Sequence, residues 1–356
     1  MIGEKLRSAR LARGMSMRDL ASAAEVSHAA IQKYESDKNM PGSEVLLRLC
    51  HSLEVSLDWF LRESRVSLAE PAFRKRSRFG IKKQQAVIER ARQFLERYVM
   101  AEDLANGDVY RFRQPRAAKG KIINLDDIER IAVALRKEWN LGLDPIESLI
   151  EVLEDKGIKI VVLDINDDGF DGCSFFLNNT VPVTIISSSW TGDRQRLTIS
   201  HELGHLLLQH DEYEISDEQV ANRFAGAFLL PADAVKTELG QRRSSFLLEE
   251  LLALKHKYGV SMSCWIRRAK DLGIISNSRY KQLMIFFRKN GWHKREPDPQ
   301  VTAEKPRRFE RLIYKSLVEG VISESKAAEL FNTTITNLRT LIRPLGERNH
   351  LAEAGR

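Results

Sequence analysis

The sequence predicts an α+β multidomain protein: an all-α helix-turn-helix domain, then a domain joining a small sheet to one long buried helix, then a helical carboxyl-terminal region. Three observations predict it. At 356 residues the chain exceeds what one hydrophobic core usually organises. Helix-capping residues recur at short intervals over residues 1–64. Strand-like runs are confined to the middle, between residues 158 and 187. The expected boundaries are 1–64 for the helix-turn-helix, 65–121 for a basic linker with a helix, 122–240 for the domain with the sheet, and 241–356 for the helical end.

Five short helices are expected over 1–64. Leu6, Arg10 and Leu11 lie on the first, Ser16 caps a second containing Leu20 and Ala21, and Ser27 caps a third running to about Glu35. Ala24-Glu25-Val26-Ser27 is a turn of the length found in a helix-turn-helix. Pro41-Gly42-Ser43 opens a fourth helix with Val45, Leu46, Leu49 and Leu53, and Ser56 to Leu61 closes the small core. In the linker, Phe73 to Phe79 is dense in positive charge, while Val87, Ile88, Ala91, Phe94, Leu95 and Tyr98 have helical spacing between Gln84 and Val99.

The pattern then turns mixed. Asp126 begins a helix through Ile128, Ile131, Ala132, Leu135 and Trp139, and Pro145 begins another that ends at Lys156-Gly157. Ile158 to Leu163 reads as a strand, and Gly172 to Leu177 with Val181 to Ser187 as a hairpin turning at Asn178-Asn179-Thr180. Pro182 puts the start of the second arm at a sheet edge, because proline cannot donate to a ladder. An edge strand just before the long helix would hold an extended peptide by strand addition. Near the end, Phe309, Leu312, Ile313 and Leu317, then Ser323 capping Ala327, Ala328, Leu330 and Phe331, predict a last helical pair. We read that pair as a packing or docking element rather than a second helix-turn-helix.

The chemistry lies in His201-Glu202-Leu203-Gly204-His205, an HExxH pattern within an apolar helix of Leu197, Ile199, Leu203, Leu206, Leu207 and Leu208. Two histidines one helical turn apart stand on the same side, so both imidazoles can reach one zinc ion. Glu202 is offset around the helix, where it can hold a water against the metal and act as its base. Two buried histidines without a common partner would be costly, which argues against a purely structural role. Tetrahedral zinc needs a third protein ligand and an open corner. Glu218, on the helix expected after the acidic loop His210 to Asp217, is the best candidate, with Asp211, Glu212, Glu214 and Asp217 as competitors. Ser216 or Asp217 would cap that helix.

Composition bounds the rest. With 43% apolar and 29% charged residues and no apolar run near the roughly 20 residues of a membrane span, the expectation is a cytoplasmic protein with no membrane partner. Cys50, Cys173 and Cys264 are odd in number and widely spaced, as reduced thiols are. Cys173, on the hairpin, is the one thiol close enough in sequence to be considered as a silencer of the metal's open corner. The net charge of +7 is segregated: 0 over 1–64, +9 over 65–121, −13 over 122–240, +8 over 241–300 and +3 over 301–356. An acidic catalytic stretch inside a basic chain favours a metal dication and a basic polypeptide substrate.

Two resemblances complete the reading. Leu6 and Arg10, Gly14-Met15-Ser16, Asp19-Leu20-Ala21, Val26-Ser27, Ile31, Tyr34-Glu35-Ser36 and Pro41 make residues 3–61 resemble a repressor-type helix-turn-helix domain of the XRE (lambda-Cro-like) class. That resemblance implies that the helix from Ser27 enters the major groove of double-stranded DNA, with Ser27, His28, Gln32 and Lys33 at bases or phosphates and Arg18 at the backbone. Met17 stands where that class often has a glutamine. Arg194 to His205, and Glu218 with Ala221-Asn222-Arg223-Phe224-Ala225 and Leu229-Leu230-Pro231, resemble the ImmA/IrrE family of zincin-like metallopeptidases. Tyr258-Gly259-Val260-Ser261, Trp265, Arg268-Ala269 and Leu272 to Ser276 extend the likeness, which covers about residues 125–345. It implies that His201, His205 and Glu218 bind Zn2+ and that Glu202 is the base.

The expected function is a transcriptional regulator with zinc-dependent endopeptidase activity, cutting a helix-turn-helix repressor partner, or itself in the linker, to relieve repression. The alternative is a DNA-binding repressor or antitoxin whose peptidase-like half is a metal- or ligand-responsive sensor without proteolysis. Repressor-type readers pair on palindromes, so a homodimer is the expected assembly. Tyr213, His210 and Arg223 are within sequence reach of a second oxyanion-stabilising role.

Overall fold

The computed structural model describes residues 2–62, 64–69, 79–105, 110–208 and 215–342. Five helices open the chain: α1 (Ile2–Ala12), α2 (Met17–Ala23), α3 (His28–Glu35), α4 (Ser43–Leu53) and α5 (Leu57–Leu61). Ser16 and Ser27 cap α2 and α3 by accepting the N–H groups of Asp19 and Ala30. Leu6, Leu20, Ile31 and Leu49 are fully buried between them. Gly3 lets α1 lie against the end of α3, since a Cβ there would stand 2.4 Å from the Tyr34 carbonyl. Arg10 locks the same pair of helices through Glu35 at 2.5 and 2.8 Å, both side chains being buried. Removing one partner would strand a buried charge, at about 3–5 kcal/mol.

After α6 (Ile81–Leu104) come α7 (Leu125–Glu138), α8 (Leu149–Asp155), β1 (Lys159–Leu163), β2 (Gly172–Leu177) and β3 (Val181–Ser187). Asn124 caps α7, and Ser148 caps α8, so that helix starts four residues later than Pro145 suggests. The serine side chain supplies a cap acceptor that proline cannot. The strands form one sheet in the order β1-β3-β2, with β1 parallel and β2 antiparallel to β3. Asn178 and Asn179, at φ 50° and 59°, turn the hairpin in the left-handed conformation that suits strand twist.

Pro182 does not mark the sheet edge that its sequence context predicts. β3 is the central strand and β2 an edge. Pro182 lies opposite Phe176, one residue before the β1 register begins at Val183, so the proline misses no bond on the β1 side. At the outer side of β2, Leu68 forms a bridge with Leu177, Ala69 N–H donates to the Phe176 carbonyl at 3.1 Å, and Asn178 N–H donates to the Ser67 carbonyl at 2.8 Å.

Two helices follow the sheet, α9 (Gly192–Leu207) and α10 (Asp217–Leu229), then α11 (Ala232–Leu239), α12 (Leu248–Tyr258), α13 (Met262–Asp271) and α14 (Asn277–Lys289). Their core includes Ile199, Leu203, Phe224, Phe228, Trp265 and Ile266, all fully buried. The carboxyl-terminal stretch holds α15 (Arg308–Val318), α16 (Glu324–Phe331) and α17 (Ile335–Leu341), three helices where a pair is expected. The chain divides into two compact units, Met1–Ala91 with Tyr110–Pro306, and Arg92–Val109 with Arg307–Arg356. In the second, Tyr98, Phe309, Ile313, Ala327 and Leu338 form its own small core.

Candidate metal centre

α9 is fixed before it reaches the site. Arg196, almost fully buried, donates to the carbonyls of Tyr258 and Ile146 and pairs with Glu304 at 2.9 Å. Gln195 donates to the Ser187 carbonyl at the end of β3. These contacts hold the helix against the sheet and set the rotation at which His201 and His205 emerge one turn later. Gly172 permits the approach of β2, because a Cβ there would lie 2.7 Å from Thr198 Cγ2.

α10 crosses α9 at Gly204. A Cβ on Gly204 would stand 3.1 Å from Ala221 Cα and 3.2 Å from Phe224 Cδ1, so the smallest residue lets the second helix come close. Ser216 caps α10 and places Glu218 in its first turn, facing α9. Gly204→Val is expected to force the helices apart, lowering stability by about 1–3 kcal/mol. Thermal melting and bound-zinc assay check it; an unchanged melt would refute the close crossing.

The result is a cluster of three donors. His201 Nε2 and His205 Nε2 are 3.1 Å apart, Glu218 Oε2 is 3.6 Å from the first, and Glu218 Oε1 is 3.9 Å from the second. Donors on a tetrahedral zinc with bonds of about 2.0–2.1 Å stand roughly 3.3 Å apart. Two imidazoles and one carboxylate therefore fit that ion in kind and in spacing. His201 is buried and the Glu218 side chain is 46% exposed, so the cluster closes inward and opens toward solvent. Among the described residues this is the one group of three or more His, Cys, Asp or Glu side chains placed to hold a metal.

Glu202 is buried beside it, and Ser174 Oγ donates to its Oε2 at 2.7 Å from the neighbouring strand. Ser174 is scarcely marked in the sequence as a partner of Glu202. Its only signal was a small hydroxyl inside an otherwise apolar strand, Gly172-Cys173-Ser174-Phe175-Phe176-Leu177. Ser174→Ala is expected to lower turnover about tenfold with zinc content unchanged, as loss of one hydrogen bond to a charged group of ~1.5 kcal/mol would do. Steady-state rates beside metal analysis check it; equal rates would remove the role.

Other expected residues separate. Cys173 is fully buried, and in strand alternation it faces away from the side of Ser174. Burial, and secondarily the charge of Glu202, pushes its thiol well above the usual cysteine range, which disfavours the thiolate a metal would need. Arg223 is engaged elsewhere, 2.6 Å from Glu129 and 3.6 Å from Asp271. His210, Asp211, Glu212, Tyr213 and Glu214 lie outside the described residues. In the helix-turn-helix, Arg18, Ser27, His28, Gln32 and Lys33 are all exposed, the last four on or beside α3. The Ser27 hydroxyl also accepts from Ala30 N–H at 3.1 Å, so it serves as cap first.

Among the described residues no helix is long and apolar enough to cross a membrane. The family model described as "Helix-turn-helix" matches residues 6–60, and the one described as "IrrE N-terminal-like domain", of the peptidase M78 type, matches residues 153–270. The chain is similar to "Transcriptional regulator ClgR" of Mycobacterium tuberculosis, 30% identical over 82 residues, or 21% of this chain and 73% of the relative. It is also similar to an uncharacterized HTH-type transcriptional regulator of Rickettsia prowazekii, 37% identical over 59 residues, 17% of this chain and 45% of the relative. With both models matched in this order along the sequence, the chain carries an amino-terminal helix-turn-helix domain of the XRE type followed by a domain of the ImmA/IrrE, peptidase M78 family.

Proposed function

We propose that the protein is a transcriptional regulator in which a reader of double-stranded DNA is joined to a zinc endopeptidase that cuts a helix-turn-helix repressor. The observation that carries this reading is the convergence of His201, His205 and Glu218 next to Glu202, whose carboxylate Ser174 holds at 2.7 Å. When bound, zinc supplies Lewis acidity that brings the pKa of a water from about 15.7 toward 7 and polarises a scissile carbonyl. His201, His205 and Glu218 would hold the ion, on a side of the cluster that opens to solvent at the half-exposed Glu218. Glu202 takes the proton from the attacking water on its carboxylate and returns it to the leaving amine. Ser174 keeps that carboxylate from swinging away between the two transfers.

The edge of β2 suits an extended substrate. Its far end already pairs with the chain's own Ser67–Ala69, which runs antiparallel and in the direction of Ser174. A partner peptide laid on the same edge would be held straight by main-chain bonds. The charge of −13 over residues 122–240 favours a basic chain such as a DNA-binding repressor. The Ser67–Ala69 pairing also favours a second reading, in which the linker of the protein itself is the substrate.

The test is incubation of the zinc-loaded protein with the product of the neighbouring gene, with fragments mapped by mass. Repressor fragments that vanish with a chelator support the first reading, and fragments of the chain itself support the second. If neither is cut, and wild type and Glu202→Gln regulate a promoter alike, the domain is a sensor and the peptidase reading fails.

A further inference from the structure

The carboxyl-terminal unit repeats the frame of the amino-terminal helix-turn-helix. Ser16 caps α2 by accepting Asp19 N–H at 3.2 Å, and Ser323 caps α16 by accepting Lys326 N–H at 3.2 Å. Leu20 and Ala21 are buried on α2, as Ala327 and Ala328 are on α16. The turn residue Glu25 has φ 54°, and so has Asn332. Val26 N–H donates to the Ala21 carbonyl at 3.0 Å, and Thr333 N–H to the Ala328 carbonyl at 2.9 Å. Ser27 caps α3 through Ala30 N–H at 3.1 Å, and Thr334 caps α17 through Asn337 N–H at 3.2 Å. Each second helix buries a single residue, Ile31 in α3 and Leu338 in α17.

All these pairs are related by one constant offset along the chain. The helix before each pair, α1 or α15, has 11 residues, and a glycine of positive φ follows two residues past its end, Gly14 at 67° and Gly320 at 70°. Caps, turn and buried positions are what fix the angle between the two helices of the motif. The first copy is the one matched by the helix-turn-helix family model at residues 6–60.

The outward face differs. Where α3 exposes Gln32 and Lys33, α17 exposes Arg339 and Thr340, with Thr336 one turn earlier. A guanidinium fork and hydroxyls are the groups that meet base edges and phosphates in a major groove. Arg339 rests on Glu324 at 2.7 Å, an exposed pair that exchanges readily for a phosphate. Arg311 adds an exposed cation on α15, and residues 301–356 carry a net charge of +3.

We propose that residues 308–342 are a second DNA-reading head, so that one chain meets duplex DNA at two places, through α3 and through α17. This goes beyond the peptidase reading and stands whether or not the zinc site cleaves. The test selects duplexes from a random pool with full-length protein. Wild type is expected to enrich two separate sequence blocks. Thr336→Glu with Arg339→Glu should lose one block and about tenfold or more in affinity for the selected duplex, and Lys33→Glu should lose the other. All three substitutions are on exposed side chains, and Thr340→Glu repeats the test should the double variant melt early. Photocrosslinking wild type to the selected duplex should yield peptides from both α3 and α17. A single enriched block, carboxyl-terminal variants that keep both blocks at unchanged affinity, or crosslinks confined to the first head would overturn the proposal.

Discussion

Glu202→Gln is expected to leave zinc content and DNA binding as in wild type while turnover falls by about 10²–10⁴-fold, the span that a positioned proton acceptor contributes. The amide fills the same space and still meets the Ser174 hydroxyl, which donates to Oε2 at 2.7 Å in the native protein. Glutamine cannot carry a proton from water to an amine. The variant therefore separates chemistry from binding. Rates with the mapped substrate, beside metal analysis and a DNA-binding assay, check it, and undiminished cleavage would remove Glu202 from the mechanism.

Glu218→Ala should abolish stoichiometric zinc. Glu218 alone brings a donor from α10 to the two imidazoles of α9, at 3.6 and 3.9 Å. Two histidines on one helix leave half of the tetrahedron unfilled, and the loss should exceed the ~10–100-fold that losing an outer-shell partner of a ligand costs. Because the side chain is 46% exposed, the metal-free variant should melt with metal-free wild type. Only wild type should gain stability as zinc is added, following RT ln(1 + [L]/Kd). Melting curves with and without zinc check this, and equal zinc-dependent stabilisation of both proteins would exclude Glu218 as a ligand.

The parts legible in the sequence were those fixed by local chemistry. Ser16 and Ser27 announce helix starts because their hydroxyls satisfy N–H groups three residues away. Asn178-Asn179 announces its turn because asparagine tolerates the left-handed backbone. His201 and His205 announce a shared face because helical periodicity is rigid.

What escaped was set by pairing between distant segments. Nothing around Pro182 reveals that β1 will lie parallel to β3 and make it central, so the edge fell to β2 instead. Ser174 gains its meaning only when β2 comes against α9, an approach that depends on the missing side chain of Gly172. α17 buries Leu338 alone, which leaves no apolar rhythm to read.

The central claim is a zinc ion held by two imidazoles and one carboxylate, and zinc-edge X-ray absorption on the purified full-length protein tests it most directly. The account predicts one zinc per chain with a first shell of nitrogen and oxygen at about 2.0–2.1 Å, including the multiple-scattering signature of two imidazoles. A sulfur shell near 2.3 Å, a single imidazole, or a spectrum unchanged in Glu218→Ala protein forced to load with zinc would contradict it.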